Sequence, residues 1–409
     1  MSSITGNLPK KVALVEWAWG GHHPTYFNHL LLAFEELGIE VLALCPDPDG
    51  AAETVRLTRQ KTQPATTMQF VKFESPAWRF GRLGLWISGM IWTSRHFLRI
   101  EKTIREHDDG NKVEAIFYPS IQAWNFDLMN LVQPFLRLPW MGIYIHALPY
   151  RTPGYIHPRV GRVSRPQVMF SGRLCKGLGV LDEGIVQQVT NSIGKPVVAF
   201  PDPTDDRLPE NTGEDSRARQ LKEFAAGRPI VGLFGVLLES KGVNTFLEAA
   251  ALFPESEVCF ALGGFVVNGP EGKLGWEIRD ALKKHGHIWH HADNMAEPVL
   301  NHLLAACDVI VAAYWDFPHS SGIQTKAAML KKPLIVSDGY LMAERARRYG
   351  IAEVVPQKDP QALRDAIVEI IRNPAKWTDD HRPQWAEYYS LHSPGQVKTS
   401  LNKLLTAAL

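Results

Sequence analysis

Short apolar runs of strand length alternate with longer segments of helical period, and the series occurs twice, on either side of a proline- and aspartate-rich stretch. This alternation constrains the chain most. Parallel strands need helical crossovers, and a strand covered on both faces by those helices reads as a continuous apolar run. In the first half the runs are Lys11–Trp17, Glu40–Leu44, Ala115–Tyr118, Met141–His146, Gly179–Leu181 and Pro196–Phe200. Pro24–Leu37 is amphipathic and reads as a helix with Pro24 in its first turn. In the second half the strands are Ile230–Phe234, Glu257–Leu262, Val309–Ala313, Leu334–Ser337 and Glu353–Val355. Its helices are Gly242–Leu252, Pro298–Ala306, Gly322–Leu330 and Pro360–Arg372. The pattern predicts an α/β fold of two doubly wound domains, 1–200 and 229–379, with a ligand cleft between them at the carboxyl ends of strands. Pro201–Arg228 reads as a linker. The segment 380–409, rich in Trp and Tyr, reads as helices packing back toward the first domain. At 409 residues the chain suits two cores.

Lys and Arg number 44 against 43 Asp and Glu, so no global charge points to a nucleic-acid partner. Cys45, Cys175, Cys259 and Cys307 form no C-x-x-C pair and lie in or near apolar runs, which reads as reduced core thiols. Met1–Lys11 lacks the apolar stretch of a signal peptide, and Leu83–Trp92 falls short of the roughly 20 residues of a membrane span, so the expected location is cytoplasmic. No zinc spacing and no D-x-D pattern occurs, and no metal or cofactor is expected.

Four constellations carry candidate chemistry. Trp17–Pro24 (WAWGGHHP) joins the first strand to the first helix. Gly20 and Gly21 let the backbone approach a ligand, the helix start offers N–H groups to an anion, and His22 and His23 have no evident packing purpose. A tight strand–helix turn is the plainer alternative. Gly235–Gly242 (GVLLESKG) leads from a strand into a helix. Lys241 sits there, where positive charge opposes the helix dipole but can reach a diphosphate; a solvated lysine is the alternative. Tyr314–Gly322 (YWDFPHSSG) opens another helix. Ser320 and Ser321 can cap it, or their hydroxyls and the N–H groups at Gly322 can hold phosphate oxygens. Tyr144–Pro149 places His146 at a strand end, able to hydrogen-bond a sugar hydroxyl or to serve as a structural histidine.

The segment Trp78–Arg105 sets Leu83, Trp86, Ile87, Met90, Ile91, Phe97 and Leu98 at helical spacing beside Arg95, Arg99, Lys102 and Arg105. Such a basic amphipathic helix reads either as a domain helix with a solvated face or as a peripheral contact with the inner face of an anionic membrane, where a lipid-linked acceptor would be presented.

Taken in order, GLFG…ESKG, LLAACDVIVAAY and SSGIQTKAAMLKKPLIVSD, with GGHH, YIHALP and LGVLDEG…VVAFPDPTDD in the first half, resemble the GT-B glycosyltransferases, in particular the retaining family 4-like group. The resemblance is strongest from Ile230 to Ile371. It implies two Rossmann-like domains, a nucleotide-diphosphate sugar as donor substrate, and a sugar, glycan or lipid-linked acceptor. It further implies that Gly20 and Gly21 lie against the diphosphate, that His146 meets the donor sugar, that Lys241 neutralises the diphosphate beside Gly235, and that Ser320, Ser321 and Gly322 form the phosphate-binding helix start. Two positions depart from the family pattern. Val236 stands where an arginine is usual, and Lys326 stands at the second of two glutamates, the first falling near Pro318; Lys326 can supply the missing positive charge. No protein nucleophile is assigned. Asp316 and Glu16 are candidate bases, with surface or structural roles as the plainer reading. Two other readings stay open: a non-catalytic GT-B partner subunit, and a sugar-nucleotide epimerase on the same fold.

Overall fold

The computed structural model describes residues 8–58, 67–76, 84–108, 110–122, 126, 129–152, 154–155, 165–205, 215–267, 269–293, 295–378, 380–381 and 384–409. Residues 78–83 of the basic segment, Asp206 of the expected linker and the first seven residues lie outside them, as do the side chains of Trp86, Ile87 and Met90. The chain divides into two units, Met1–Pro203 with Pro394–Leu409, and Thr204–Ser393.

The first unit carries β1 (Lys11–Val15), β2 (Glu40–Cys45), β3 (Met68–Lys72), β4 (Ala115–Ile121), β5 (Trp140–Tyr144), β6 (Cys175–Val180) and β7 (Val197–Ala199). They form one parallel sheet in the order β3-β2-β1-β4-β5-β6-β7. Side chains alternate along each strand, so Ala13 and Val15 enter one core while Val12 and Leu14 enter the other. The helix Pro394–Ala408 buries Val397, Leu401, Leu404 and Leu405 in that second core. This spacing puts all four on one face.

The second unit carries β8 (Ile230–Phe234), β9 (Cys259–Gly263), β10 (Ile288–His291), β11 (Val309–Ala312), β12 (Leu334–Ser337) and β13 (Glu353–Val355). Its sheet is also parallel, in the order β10-β9-β8-β11-β12-β13. Val231 and Leu233 face one core, Ile230 and Phe234 the other.

Two segments depart from the sequence reading. Within the expected linker, Ser216–Ala225 is a helix with Asp215 as its N-cap, and Ala218, Leu221 and Ala225 are buried against the second sheet. Its polar composition hides a narrow apolar stripe built largely of alanine. Within the tail, the helix Gln384–Leu391 belongs to the second unit, with Trp385 and Tyr388 buried in its core, while Pro394–Ala408 joins the first.

Both sheets reverse strand order between their first and fourth strands, β1/β4 and β8/β11. Parallel sheets leave a crevice for ligands at the carboxyl edge of such a reversal.

Candidate functional site

In the second unit, two connections flank the β8/β11 reversal. After β8 the chain turns at Gly235 with φ 122°, and Gly264 packs so tightly on it that a Cβ there would fall 1.6 Å from the Gly235 carbonyl oxygen. A single helical turn, Glu239–Lys241, then ends at Gly242 with φ 74°, where a Cβ would stand 2.3 Å from the carbonyl oxygen of Ala313. A side chain at Gly242 would push the two connections apart. The N–H of Trp315 donates to the Ser240 carbonyl at 3.0 Å and fastens them from the other side.

This anchoring decides where Lys241 points. Its ammonium lies 3.9 Å from the centre of the Tyr314 ring and 4.1 Å from that of Phe317. Two ring faces hold one cation in place. Tyr314 is buried, and desolvation pushes its phenol up to about 12, so it stays protonated. Its hydroxyl interacts with Ser321, the N-cap residue of the helix Gly322–Met329. Gly322 leaves its flank open, with no atom of the described residues within 4 Å of where a Cβ would stand. Lys241, Tyr314, Ser321 and the helix start thus form one linked set at the carboxyl edge, and Gly235 belongs to the same connection as Lys241. Next to Tyr314 and Phe317 lies a small cavity that Ser337, Asp338, Tyr340 and Met342 also line. The Ser337 hydroxyl there is buried without a hydrogen-bond partner among the described residues.

The serine hydroxyls do not cap the helix. Ser321 makes no side-chain cap bond and interacts with Tyr314 instead. Ser320 Oγ accepts from Arg345 Nη1 at 2.7 Å. Arg345 is buried on the helix Leu341–Tyr349 and brings a guanidinium to the same edge. Among the neighbours Arg347 and Arg348, nothing in the sequence sets it apart. Lys326 takes a different place from the one expected. It is buried, with Nζ 2.6 Å from Glu297 Oε2 and 2.7 Å from Asn301 Oδ1. Its charge is neutralised inside the unit, which corrects the expectation that it supplies the missing cation. Val236 is 42% exposed and carries none. Asp316 is exposed at φ 48°, with Lys358 Nζ 4.0 Å away.

In the first unit, Glu16 follows β1 and is buried. Its Oε1 accepts from the N–H groups of Trp17 and Ala18 at 2.9 and 3.0 Å, and its Oε2 lies 3.0 Å from His23 Nδ1. The His22 and His23 rings stack at 4.7 Å, and His22 meets Tyr26 edge-on at 5.4 Å. The two histidines therefore do pack: His23 ties the helix start to Glu16, and Glu16 is a loop-holding group. Tyr26 in turn donates to the buried Asp202 at 2.5 Å. Gly20 and Gly21 are exposed, with no atom of the described residues within 4 Å of where a Cβ would stand and with Gly21 at φ 61°, so this loop leaves its backbone accessible. His146 follows β5 and is half-buried ahead of the short helix Leu148–Arg151. It shares the carboxyl edge with the loop after β1, since β5 lies two strands from β1, about 10 Å by strand spacing.

The four cysteines are free and buried, and burial pushes the thiols of Cys45 and Cys175 up to about 12. No helix among the described residues is long and apolar enough to cross a membrane. On the helix Gly84–Glu106, Phe97, Ile100 and Ile104 are buried, while Ile91, Arg95, Leu98, Lys102 and Arg105 are exposed. These five fall on one face by spacing.

No curated protein sequence matches the chain. Among solved structures it is similar to a glycosyltransferase from Rickettsia africae at 12% identity and a TM-score of 0.68, covering 98% of each chain. It is similar to Anabaena HepE in complex with UDP and glucose at 14% identity and a TM-score of 0.69, covering 97% of this chain and 99% of that one. Sucrose-phosphate synthase from Thermosynechococcus elongatus aligns at 14% identity and a TM-score of 0.69, over 97% and 98% of the two chains. The fold is that of the GT-B glycosyltransferases, and residues 215–390 match the model of the glycosyl transferases group 1 family.

Proposed function

We propose that the protein is a glycosyltransferase that moves a sugar from a nucleoside-diphosphate donor to a sugar, glycan or lipid-linked acceptor, with the diphosphate held in the second unit by Lys241 and the start of the helix Gly322–Met329. The observation that carries this reading is the linked set at the β8/β11 reversal, where a ring-held ammonium and a helix start share Tyr314. Cleavage of a sugar–diphosphate bond leaves charge on the diphosphate, and fixed donors aimed at that charge lower the barrier. Lys241 supplies a point charge, the amides at Gly322 and Ile323 supply donors, and Arg345 reinforces the field through Ser320. Arg345 takes the electrostatic role that Val236 leaves open.

The reaction proceeds with retention and without a metal. The acceptor hydroxyl attacks the anomeric carbon on the face that the diphosphate leaves. The bond from that carbon to the diphosphate oxygen breaks with its electron pair, and the acceptor proton passes to the diphosphate. No side chain acts as nucleophile. His146 hydrogen-bonds a donor-sugar hydroxyl, and Gly20, Gly21 and His22 offer backbone and imidazole to the donor.

HepE was crystallised with UDP and glucose, so uridine nucleotides are the first donors to test. A thermal-shift panel of UDP, GDP, ADP and TDP with their sugars identifies the donor, because a ligand that binds only the folded state raises Tm by mass action. Stabilisation by one nucleotide sugar, followed by its turnover, supports the reading. No stabilisation by any of them rejects it. A second reading, a non-catalytic partner subunit, draws on Val236 and on the internal pairing of Lys326, two positions where the resembling family carries functional charge. It predicts donor binding without hydrolysis or transfer. An epimerase would need unpaired acids facing the site, where Asp338 pairs with Arg347 at 2.8 Å and Asp316 lies 4.0 Å from Lys358 Nζ.

A further inference from the structure

Away from the carboxyl edge, at the amino ends of β9 and β10, three side chains converge. Glu255 lies in the connection leading to β9, and His285 and His287 lie just before β10. One ligand atom from each falls within 4.8 Å of the other two. His287 is completely buried. Its Nε2 lies 3.1 Å from the carbonyl oxygen of Ala250, an acceptor only, so Nε2 carries the proton. Nδ1 is then a bare lone pair. It has no hydrogen-bond partner among the described residues, and it lies 3.9 Å from Glu255 Oε1. A buried acceptor without a donor is costly and asks for an explanation.

The surroundings are built around this arrangement. The Gly286 N–H donates to Glu255 Oε1 at 2.8 Å, and a Cβ at Gly286 would stand 3.1 Å from Glu255 Oε2, so glycine between the histidines makes room for the carboxylate. Phe260 meets the His287 ring edge-on at 5.6 Å and fixes its plane. The Arg228 guanidinium donates to the carbonyls of Phe224, Ala225 and Glu255, which engages that nearby cation. Glu255 is exposed and His285 half-buried, which gives an ion a path from solvent.

We propose that Glu255, His285 and His287 bind a divalent transition-metal ion, of which zinc is the best match. Two imidazoles with one carboxylate suit Zn²⁺, Co²⁺ or Ni²⁺, whereas Mg²⁺ and Ca²⁺ prefer oxygen ligands throughout. A metal-bound imidazole that donates its other N–H to a main-chain carbonyl is the usual outer-shell arrangement, and Ala250 provides it. The ion would clamp the end of the helix Lys273–Lys284 to the connection entering β9. It would be structural: the site sits on the amino edge of the sheet, opposite Lys241, with the roughly 15 Å length of β9 between the two edges.

The test uses the full, tag-free chain after chelation and dialysis. Titration calorimetry with Zn²⁺, the visible absorption of Co²⁺, and Tm with and without Zn²⁺ are measured on the wild type, Glu255→Gln and His285→Ala. Both substitutions lie outside the buried core and leave His287 in place. One Zn²⁺ per chain is expected, with a Zn²⁺-dependent rise in Tm, no response to Mg²⁺, and at least tenfold weaker binding in each variant. Nucleotide affinity should be the same with and without Zn²⁺, so this result stands apart from the fate of the donor site. The absence of stoichiometric binding in the wild type, or an affinity equal to that of the wild type in both variants, overturns the proposal.

Discussion

The ammonium of Lys241 lies 3.9 Å from the centre of the Tyr314 ring, and the hydroxyl of the same tyrosine interacts with Ser321 at the start of the next helix. One aromatic residue thus orients both the cation and the helix start. The ring acts on Lys241 and the hydroxyl on Ser321, so the two roles separate by substitution.

Tyr314→Phe keeps the ring and removes the hydroxyl. The buried Ser321 then loses its partner, which costs about 1–2 kcal/mol of stability. Nucleotide affinity should fall by less than about fivefold, since Lys241 keeps both rings. Tyr314→Leu should reduce affinity further, because the cation–π contact, worth about 0.5–2 kcal/mol, goes as well. Chemical denaturation and calorimetric titration of the two variants measure the two effects.

Lys326 is a structural cation. Lys326→Met leaves the half-buried Glu297 without its partner; water reaches that carboxylate, so the cost is on the order of 1–2 kcal/mol, below that of a fully buried pair. The double variant Lys326→Met with Glu297→Gln should recover most of that loss. Nucleotide affinity of the folded variants should stay within about twofold of wild type, measured below the onset of unfolding.

His96 makes stability depend on acid. It is completely buried, stacked on Trp92 at 4.8 Å with Nδ1 3.0 Å from Ser75 Oγ, and desolvation pushes its pKa down to about 3. The unfolded chain takes up this proton below about 6.5, the folded chain only near 3. The unfolded state therefore binds more protons between these values, and stability falls as pH drops from 6.5 toward 3, by a few kcal/mol in total. Above pH 7 the residue contributes no slope. His96→Phe should flatten the profile between pH 6.5 and 4, as read from denaturant midpoints.

The exposed face of the helix Gly84–Glu106 predicts contact with anionic lipid. Vesicles containing phosphatidylserine should bind the protein, with affinity lost above about 0.5 M salt, while neutral vesicles should not. Replacing Arg95, Lys102 and Arg105 by glutamine should abolish the sedimentation with vesicles. Equal binding of wild type and variant would mean the face is solvated surface only.

The strands most legible in sequence were those buried on both faces. Ile230–Phe234 and Leu334–Ser337 coincide with β8 and β12, every residue of which is buried. The two strands missed, β3 and β10, are the outer strands beyond β2 and β9 at corresponding edges of the two sheets. An edge strand is half-covered, so Met68–Lys72 and Ile288–His291 mix polar and apolar residues and show no continuous run. Helix Ser216–Ala225 escaped because alanine fills most of its buried stripe. At the site, glycines and the lysine before a helix carried a local signal. The environment of Lys241 did not, since Tyr314 and Phe317 lie more than 70 residues onward. Glu297 and Asn301 lie on another helix, so the sequence around Lys326 could not show its neutralisation, and the burial of Arg345 was equally hidden.

The central claim, that Lys241 and the helix start at Gly322 grip a diphosphate, is tested most directly by calorimetric titration of Lys241→Ala with the nucleoside diphosphate that stabilises the wild type. Loss of one charge-assisted contact, about 1.5–3 kcal/mol, predicts affinity weaker by about 10- to 100-fold, with Tm in the absence of ligand within about 2 °C of wild type. Affinity unchanged for every nucleoside diphosphate contradicts the account.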